Sequence, residues 1–261
     1  YWQKRQELGR LYNFTNILDN CSGKYIALLD GDDYWTDPLK LQKQVDFLEE
    51  NEEYALCFTN CSTVNNLGQI KNPKFINYDK DRIFSIEDLM FVAPTVTRVL
   101  RKEAMKFSPS FYETNEAPGD AKMLINLLHQ GKAKYLNFFS GCYRKHGGGV
   151  WSHADKVLIR KSKFEIAYYG LVVTNQENKF IFFREALLEL SKLLRHGRKN
   201  HRLKLNKFIK GYKKYIDLNA SRLFYFRLYL FFLKIPFLPN SIIARIQLRI
   251  IKERFQKHNS I

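Results

Sequence analysis

Along the first 150 residues the apolar positions switch repeatedly between helical spacing and short continuous runs. Leu11 to Asn20 reads as a helix stopped by Gly23, part of a helical pattern already under way at Trp2. Lys24 to Leu29 is a nearly all-apolar run of strand length, expected to be a buried central strand. Asp37-Pro38 has the form of an N-cap followed by proline in the first helical turn. The helix it opens, Leu39 to Glu50, is predicted to place Leu41, Val45 and Leu48 on one face.

Further on, Tyr54 to Thr59 reads as a strand and Asn65 to Gly68 as a turn. Ser85 to Met90 reads as a capped helical turn with Asp88 at the capping-box position. Val96 to Leu100 is a predicted strand, Gly119-Asp120 opens a helix that ends at Gly131, and Lys134 to Phe139 is a last strand. Strands alternating with helices imply an α/β sheet with layers on both sides. Beyond Ser152 the pattern becomes helical throughout: Lys156 to Tyr169, Gln176 to Arg195, Leu203 to Tyr215, Ala220 to Lys234 and Ile242 to Gln256, with breaks at Gly170, Gly197, Gly211, Pro236 and Pro239. Two regions are therefore expected, 1–152 as the sheet domain and 153–261 as a helical region.

Charge follows the same division. Residues 1–150 balance 19 Lys and Arg against 19 Asp and Glu, whereas residues 151–261 hold 24 against 7, so that half carries the whole net charge of +17. A neutral front and a basic back suggest that one part handles a substrate while the other meets a polyanion. The apolar stretch Leu223 to Leu238 is interrupted by Arg227 and Lys234, far short of the roughly 20 residues of a membrane span. Four cysteines without close pairing favour a reducing compartment. The chain starts at Tyr1 without a signal sequence, as if it began inside a domain.

The sharpest chemical signal is Asp30-Gly31-Asp32-Asp33, which follows the first predicted strand. Ligands of α/β sheets bind at that edge. Crowded carboxylates raise one another's pKa values unless a divalent cation neutralises them. Hard oxygen donors suit Mg2+ or Mn2+, which complete their shell with water and substrate phosphates. The plainer alternative is an acidic turn capping the next helix, a task Asp37 already fills.

The run from Gly23 to Gln44 resembles the DXD region of family 2 glycosyltransferases with the GT-A fold, especially bacterial surface-polysaccharide enzymes, and the likeness extends from about Gly9 to Trp151. It implies a partial GT-A-like mixed sheet flanked by helices, followed by the basic α-helical region, and a nucleotide-sugar donor, a UDP-sugar by family habit. By motif position it implies Asp30 and Asp32 for contacts with the nucleotide sugar, and Asp32 with Asp33 nearest the cation. It also implies a general base at the start of a helix, where Asp120 stands in Pro118-Gly119-Asp120-Ala121; the glutamate that often precedes it in the family is missing. On the residue alone, Asp120 is a plain N-cap. A late histidine that joins the metal or the diphosphate corresponds to His146, with Arg144 or Lys145 adding charge against phosphate. Three glycines, Gly147 to Gly149, allow a loop to close over the donor.

Two weaker candidates complete the set. Thr95 could reach a sugar or acceptor hydroxyl, or be an ordinary strand residue, and Trp35 could stack on a sugar or pack into the core. The resemblance also implies a preceding strand-helix-strand unit for the nucleotide base. In residues 203–257 Lys and Arg interleave with aromatics, as in helices that lie on anionic membranes. A lipid-linked or glycan acceptor at the cytoplasmic face of the cell membrane follows from that reading. Nucleic acid has no recognition motif here. Rival readings are a non-catalytic membrane-peripheral interaction protein on a decayed transferase scaffold and a metal-dependent nucleotidyltransferase.

Overall fold

The computed structural model describes residues 12–88, 93–107, 111, 118–148, 154 and 156–175, with several further positions between 178 and 192. The chain divides into two compact units, residues 1–187 and 188–261. In the second, Lys192 Nζ bonds Glu189 Oε1 at 2.6 Å. The expected helices between Leu203 and Gln256, and the pattern before residue 12, lie outside the described residues.

The first unit is α/β, as expected: helices flank a mixed sheet of seven strands. Its elements are α1 (residues 12–19), β1 (Tyr25–Ala27), β2 (Tyr34–Trp35), α2 (Lys40–Glu50), β3 (Tyr54–Val64), β4 (Ile70–Asn72), β5 (Arg82–Phe84), β6 (Val99–Arg101), α3 (Gly119–Gln130), β7 (Lys132–Arg144) and α4 (Lys156–Val173). The strand order is β1-β6-β3-β7-β2, with β4 on β3 and β5 on β7. β3 and β7 run parallel at the centre, from Tyr54 opposite Lys132 to Val64 opposite Arg144, and the other pairings are antiparallel. Both central strands are longer than the sequence pattern indicates, because polar Asn60, Ser62 and Thr63 interrupt the apolar run without ending the ladder.

The strand expected at the centre, β1, instead lies at one end of this order and pairs antiparallel with β6, leaving Tyr25 and Ala27 half-buried. The segment expected as a strand from Val96 to Leu100 is a 3-10 turn, Thr95–Thr97, followed by β6. Helix α4 continues through Gly170, where a break was expected. A Cβ there would meet Phe182 Cδ1 at 2.0 Å, so this glycine serves close packing rather than termination.

The inward face of α2 also differs from expectation. Lys40, Gln44 and Leu48 are buried, whereas Leu41 is exposed. The Asp37-Pro38 entry explains the rotation: Asp37 Oδ1 accepts from the Leu39 amide at 2.8 Å, and the helix proper starts at Lys40. Buried polar groups at an interior face need partners. Gln44 Nε2 donates to Thr97 O at 2.9 Å, and Lys40 Nζ sits 4.7 Å from the Trp35 ring centre. The expected turn forms, the Gly68 amide donating to Asn65 O at 3.0 Å; of the expected capped turn, the Ser85 amide donates to Asp88 Oδ2 at 2.8 Å over a 3-10 turn, Ile86–Asp88, and Met90 lies outside the described residues.

The larger core gathers Leu18 of α1, Leu56 and Phe58 of β3, Phe84 of β5, Met123 and Leu127 of α3 and Tyr135 of β7. A smaller one under α2 joins Leu48, Tyr54, Cys57 and Val99. Each such side chain contributes about 1.5–3 kcal/mol on full burial. Together these layers hold β3 and β7 rigidly, so the loops at their C-terminal ends project from a fixed base. All four cysteines are free, and burial pushes the Cys57 and Cys61 thiols up to about 12.

Candidate active site

The carboxylate cluster sits where β2 runs antiparallel to the end of β7, Tyr34 opposite Cys142 and Trp35 opposite Gly141. The tight approach depends on Gly141, where a Cβ would meet Tyr34 O at 2.9 Å and Val96 Cγ2 at 3.1 Å. The preceding loop closes as a turn, with the Asp33 amide donating to Asp30 O at 3.1 Å. The turn buries Asp33 and leaves Asp30 and Asp32 facing outward.

Asp33 is 8% exposed. Its Oδ1 accepts from the Arg144 amide at 2.8 Å, and its Oδ2 is buried without a hydrogen-bond partner. Burial, then the neighbouring Asp32 and Asp30 charges, pushes its carboxyl up to about 6 against the pull of that amide. Asp30 is also raised, first by desolvation and then by Asp32 and Asp120, with Arg98 opposing. The Tyr143 phenol is raised by burial and by Asp33, Asp32, Asp30 and Asp120 in turn. The four aspartates thus share one electrostatic neighbourhood.

His146 Nε2 lies 2.8 Å from Asp32 Oδ2. Arg144 does not stand free to meet phosphate: its Nε donates to Asp32 O at 2.9 Å, and its Nη1 to Asn65 O at 2.9 Å and Asn66 O at 3.2 Å. It therefore fastens the aspartate turn to the β3–β4 turn. Lys145 Nζ lies 5.8 Å from the Phe75 ring centre. An open depression of about 500 Å3 beside this knot is lined by Asn65, Asn66, Lys145, His146 and Gly147.

Asp120 stands in the first turn of α3, but the plain capping role is not what it does. The cap position is Pro118, and no side chain makes a cap bond there. The Asp120 carboxylate instead faces Arg98, Nη2 to Oδ2 3.5 Å. Trp35 is half-buried and anchored, its Nε1 donating to Val96 O at 2.9 Å, and Lys40 covers a ring face. That favours the packing role over sugar stacking. Thr95 lies in the 3-10 turn rather than in a strand, half-buried.

Among the described residues no three His, Cys, Asp or Glu side chains form a ready-made metal cluster. Asp33 is drawn to the Arg144 amide while His146 pairs with Asp32. The donor set still fits a hard cation. Mg2+ is usually held by one or two carboxylates plus substrate phosphates, and the buried Asp33 Oδ2, beside Asp30 and Asp32, offers an oxygen that has no hydrogen-bond partner.

Sequence reasoning missed Arg98 and Lys40. Arg98 is the one charged residue in the run Val96 to Leu100, and a lone guanidinium in a strand pattern was the available signal. Lys40 is spaced four residues from Gln44 and eight from Leu48, a periodicity hidden by its charge.

Residues 1–107 match the family model described as glycosyl transferase family 2. Uncharacterized proteins of Mycobacterium bovis and Mycobacterium tuberculosis are 30% identical over 176 residues, 66% of this chain and 48% of theirs. The UDP-Glc:alpha-D-GlcNAc-diphosphoundecaprenol beta-1,3-glucosyltransferase WfaP of Escherichia coli is 31% identical over 144 residues, 54% of this chain and 53% of that protein. The chain thus spans about half the length of the curated relatives it matches. Among solved structures, TarS 1-349 of S. aureus aligns with 81% of this chain and 56% of its own, at 12% identity and a TM-score of 0.43.

Proposed function

We propose that this chain, whose residues 1–107 match the glycosyl transferase family 2 model, carries out inverting transfer of a sugar from a UDP-sugar to a hydroxyl of a cell-surface glycan or lipid-linked acceptor. The observation that carries this reading is the buried, unpartnered Asp33 Oδ2 within a group of carboxylates that includes Asp120. Binding a cation there would offset the cost of burying that carboxylate. The Escherichia coli relative, named for a UDP-Glc donor and a diphosphoundecaprenol acceptor, supports the same donor and acceptor classes here.

Mg2+ or Mn2+, held by Asp32 and Asp33 with His146 at its margin, would neutralise the charge that develops on the departing diphosphate. Asp30 and Asp32 would contact the nucleotide sugar from the exposed side of the turn. Asp120 would take the proton from the acceptor hydroxyl as that oxygen bonds to the anomeric carbon and the bond from that carbon to the diphosphate oxygen breaks. Attack opposite the leaving group inverts the anomeric centre. Arg144 would keep the aspartate turn and the wall of the adjacent depression in register.

The basic region, residues 153–261, would hold the enzyme on the anionic cytoplasmic face of the membrane, where lipid-linked acceptors lie. Among the described residues no helix is long and apolar enough to cross a membrane. The test is a screen of common nucleotide sugars with the full-length protein, measuring the product released. Acceptor-dependent release of nucleoside diphosphate is expected. Release of pyrophosphate would mark nucleotidyl transfer, and release of neither, with every donor, would mark a non-catalytic protein.

A further inference from the structure

Arg98 is 4% exposed, between the 3-10 turn Thr95–Thr97 and the start of β6. Its Nε donates to Ala93 O at 2.7 Å, and Nη2 donates to the same oxygen. From there the guanidinium reaches across to α3: Nη1 donates to Asp120 O at 3.4 Å, and Nη2 faces Asp120 Oδ2 at 3.5 Å. One planar fork therefore links the loop before β6 to both the backbone and the side chain of Asp120. The Asp120 side chain is 37% exposed, so it is gripped from behind while its outer side stays open. The same buried charge also acts on Asp30, opposing the rise of its carboxyl.

Stability alone gives a weak reason to bury a guanidinium here. A buried ion pair is often matched or bettered by apolar residues of similar volume. A fork that must aim a carboxylate gives a better one, and lysine would not reproduce its geometry. We propose that Arg98 is a positioning residue for the base, fixing the Asp120 carboxylate toward the acceptor hydroxyl. The inference rests on the assignment of Asp120 as base.

A double-mutant cycle in the full-length protein tests it, using Arg98→Met, Asp120→Asn and the two combined. The first readout is the urea midpoint, which needs no substrate. Asp120→Asn lowers the midpoint with Arg98 present and changes it little with methionine at 98, as coupled neighbours require. Additive shifts overturn the proposal whatever donor the protein uses. The second readout is turnover of UDP-glucose. Arg98→Met lowers kcat by about 100-fold with KM for the donor nearly unchanged, and the double variant is no slower than Asp120→Asn alone. A purely structural Arg98 would instead give multiplying losses, or wild-type kcat per folded molecule. Arg98→Lys, which keeps the charge, stands in if the methionine variant does not fold; about a tenfold loss is expected, and wild-type kcat would overturn the proposal. If Asp120→Asn leaves turnover intact, the base assignment fails. If Asp120→Asn abolishes turnover and Arg98→Met does not, only the positioning inference fails.

Discussion

Replacing Asp33 with asparagine should make the ligand-free protein more stable while weakening the cation binding proposed above. The side chain is 8% exposed and its carboxyl is pushed up to about 6, against an ordinary value of 3.8. A carboxyl raised in the folded state binds its proton there first, so folding stability increases as pH falls from about 6 toward 3.8 and is lost above. The shift of about two units corresponds to about 3 kcal/mol of destabilisation at pH near 7.5 and about half that near pH 5. Asparagine keeps an oxygen for the Arg144 amide, and the new amide hydrogens, lacking an acceptor, cost about 1 kcal/mol. The net expectation is a variant about 2 kcal/mol more stable than the parent near pH 7.5, with the difference shrinking steadily on acidification. Urea denaturation across that pH range, with a chelator present, measures it. A variant equal to or weaker than the parent near neutrality, with an unchanged pH profile, would refute the claim that a desolvated charge is stored at this position.

Lys40→Met tests the corresponding strain under Trp35. The Nζ is buried without a hydrogen-bond partner and burial pulls its pKa down to about 8, so the ammonium opposes folding below that pH and the opposition fades toward 10.5. The variant should gain about 2 kcal/mol near pH 7 after losing the Trp35 ring contact, and little near pH 10; no gain at pH 7 in denaturant titration would reject it. Gly141→Ala should cost about 1–3 kcal/mol by forcing β2 off β7, seen as a lower urea midpoint and an altered Trp35 fluorescence; an unchanged midpoint would show that the strands part freely. Deleting residues 203–261 should release the protein from anionic vesicles that otherwise hold it in a salt-sensitive manner, and undiminished sedimentation with vesicles would remove the anchor role.

What could be read from the sequence was governed by local chemistry. The Asp37 bond to the Leu39 amide, the Ser85–Asp88 contact and the Asn65–Gly68 turn rest on near neighbours, and each forms, although the cap of the helix falls at Leu39 rather than at Asp37. The alternation of strands and helices likewise indicated an α/β sheet. What escaped depends on contacts far apart in the chain. The place of β1 in the sheet is set by its pairing with β6, some seventy residues away, rather than by its apolar run. The buried face of α2 carries Lys40 and Gln44 because Trp35 and the Thr97 carbonyl receive them. At the site, the aspartate motif announced itself and the structure brings its members near Asp120 and His146, but the loop's wiring was invisible beforehand. Arg144, expected to meet phosphate, is occupied with three carbonyls, and Arg98, read only as part of a strand, grips Asp120.

The most direct test of the account is whether nucleotide and cation bind together at the aspartate turn. Calorimetric titration of UDP into the full-length protein near pH 7.5 should show binding with Mn2+ that weakens by at least about tenfold with a chelator or in Asp33→Asn. Equal affinity in all three conditions would contradict it.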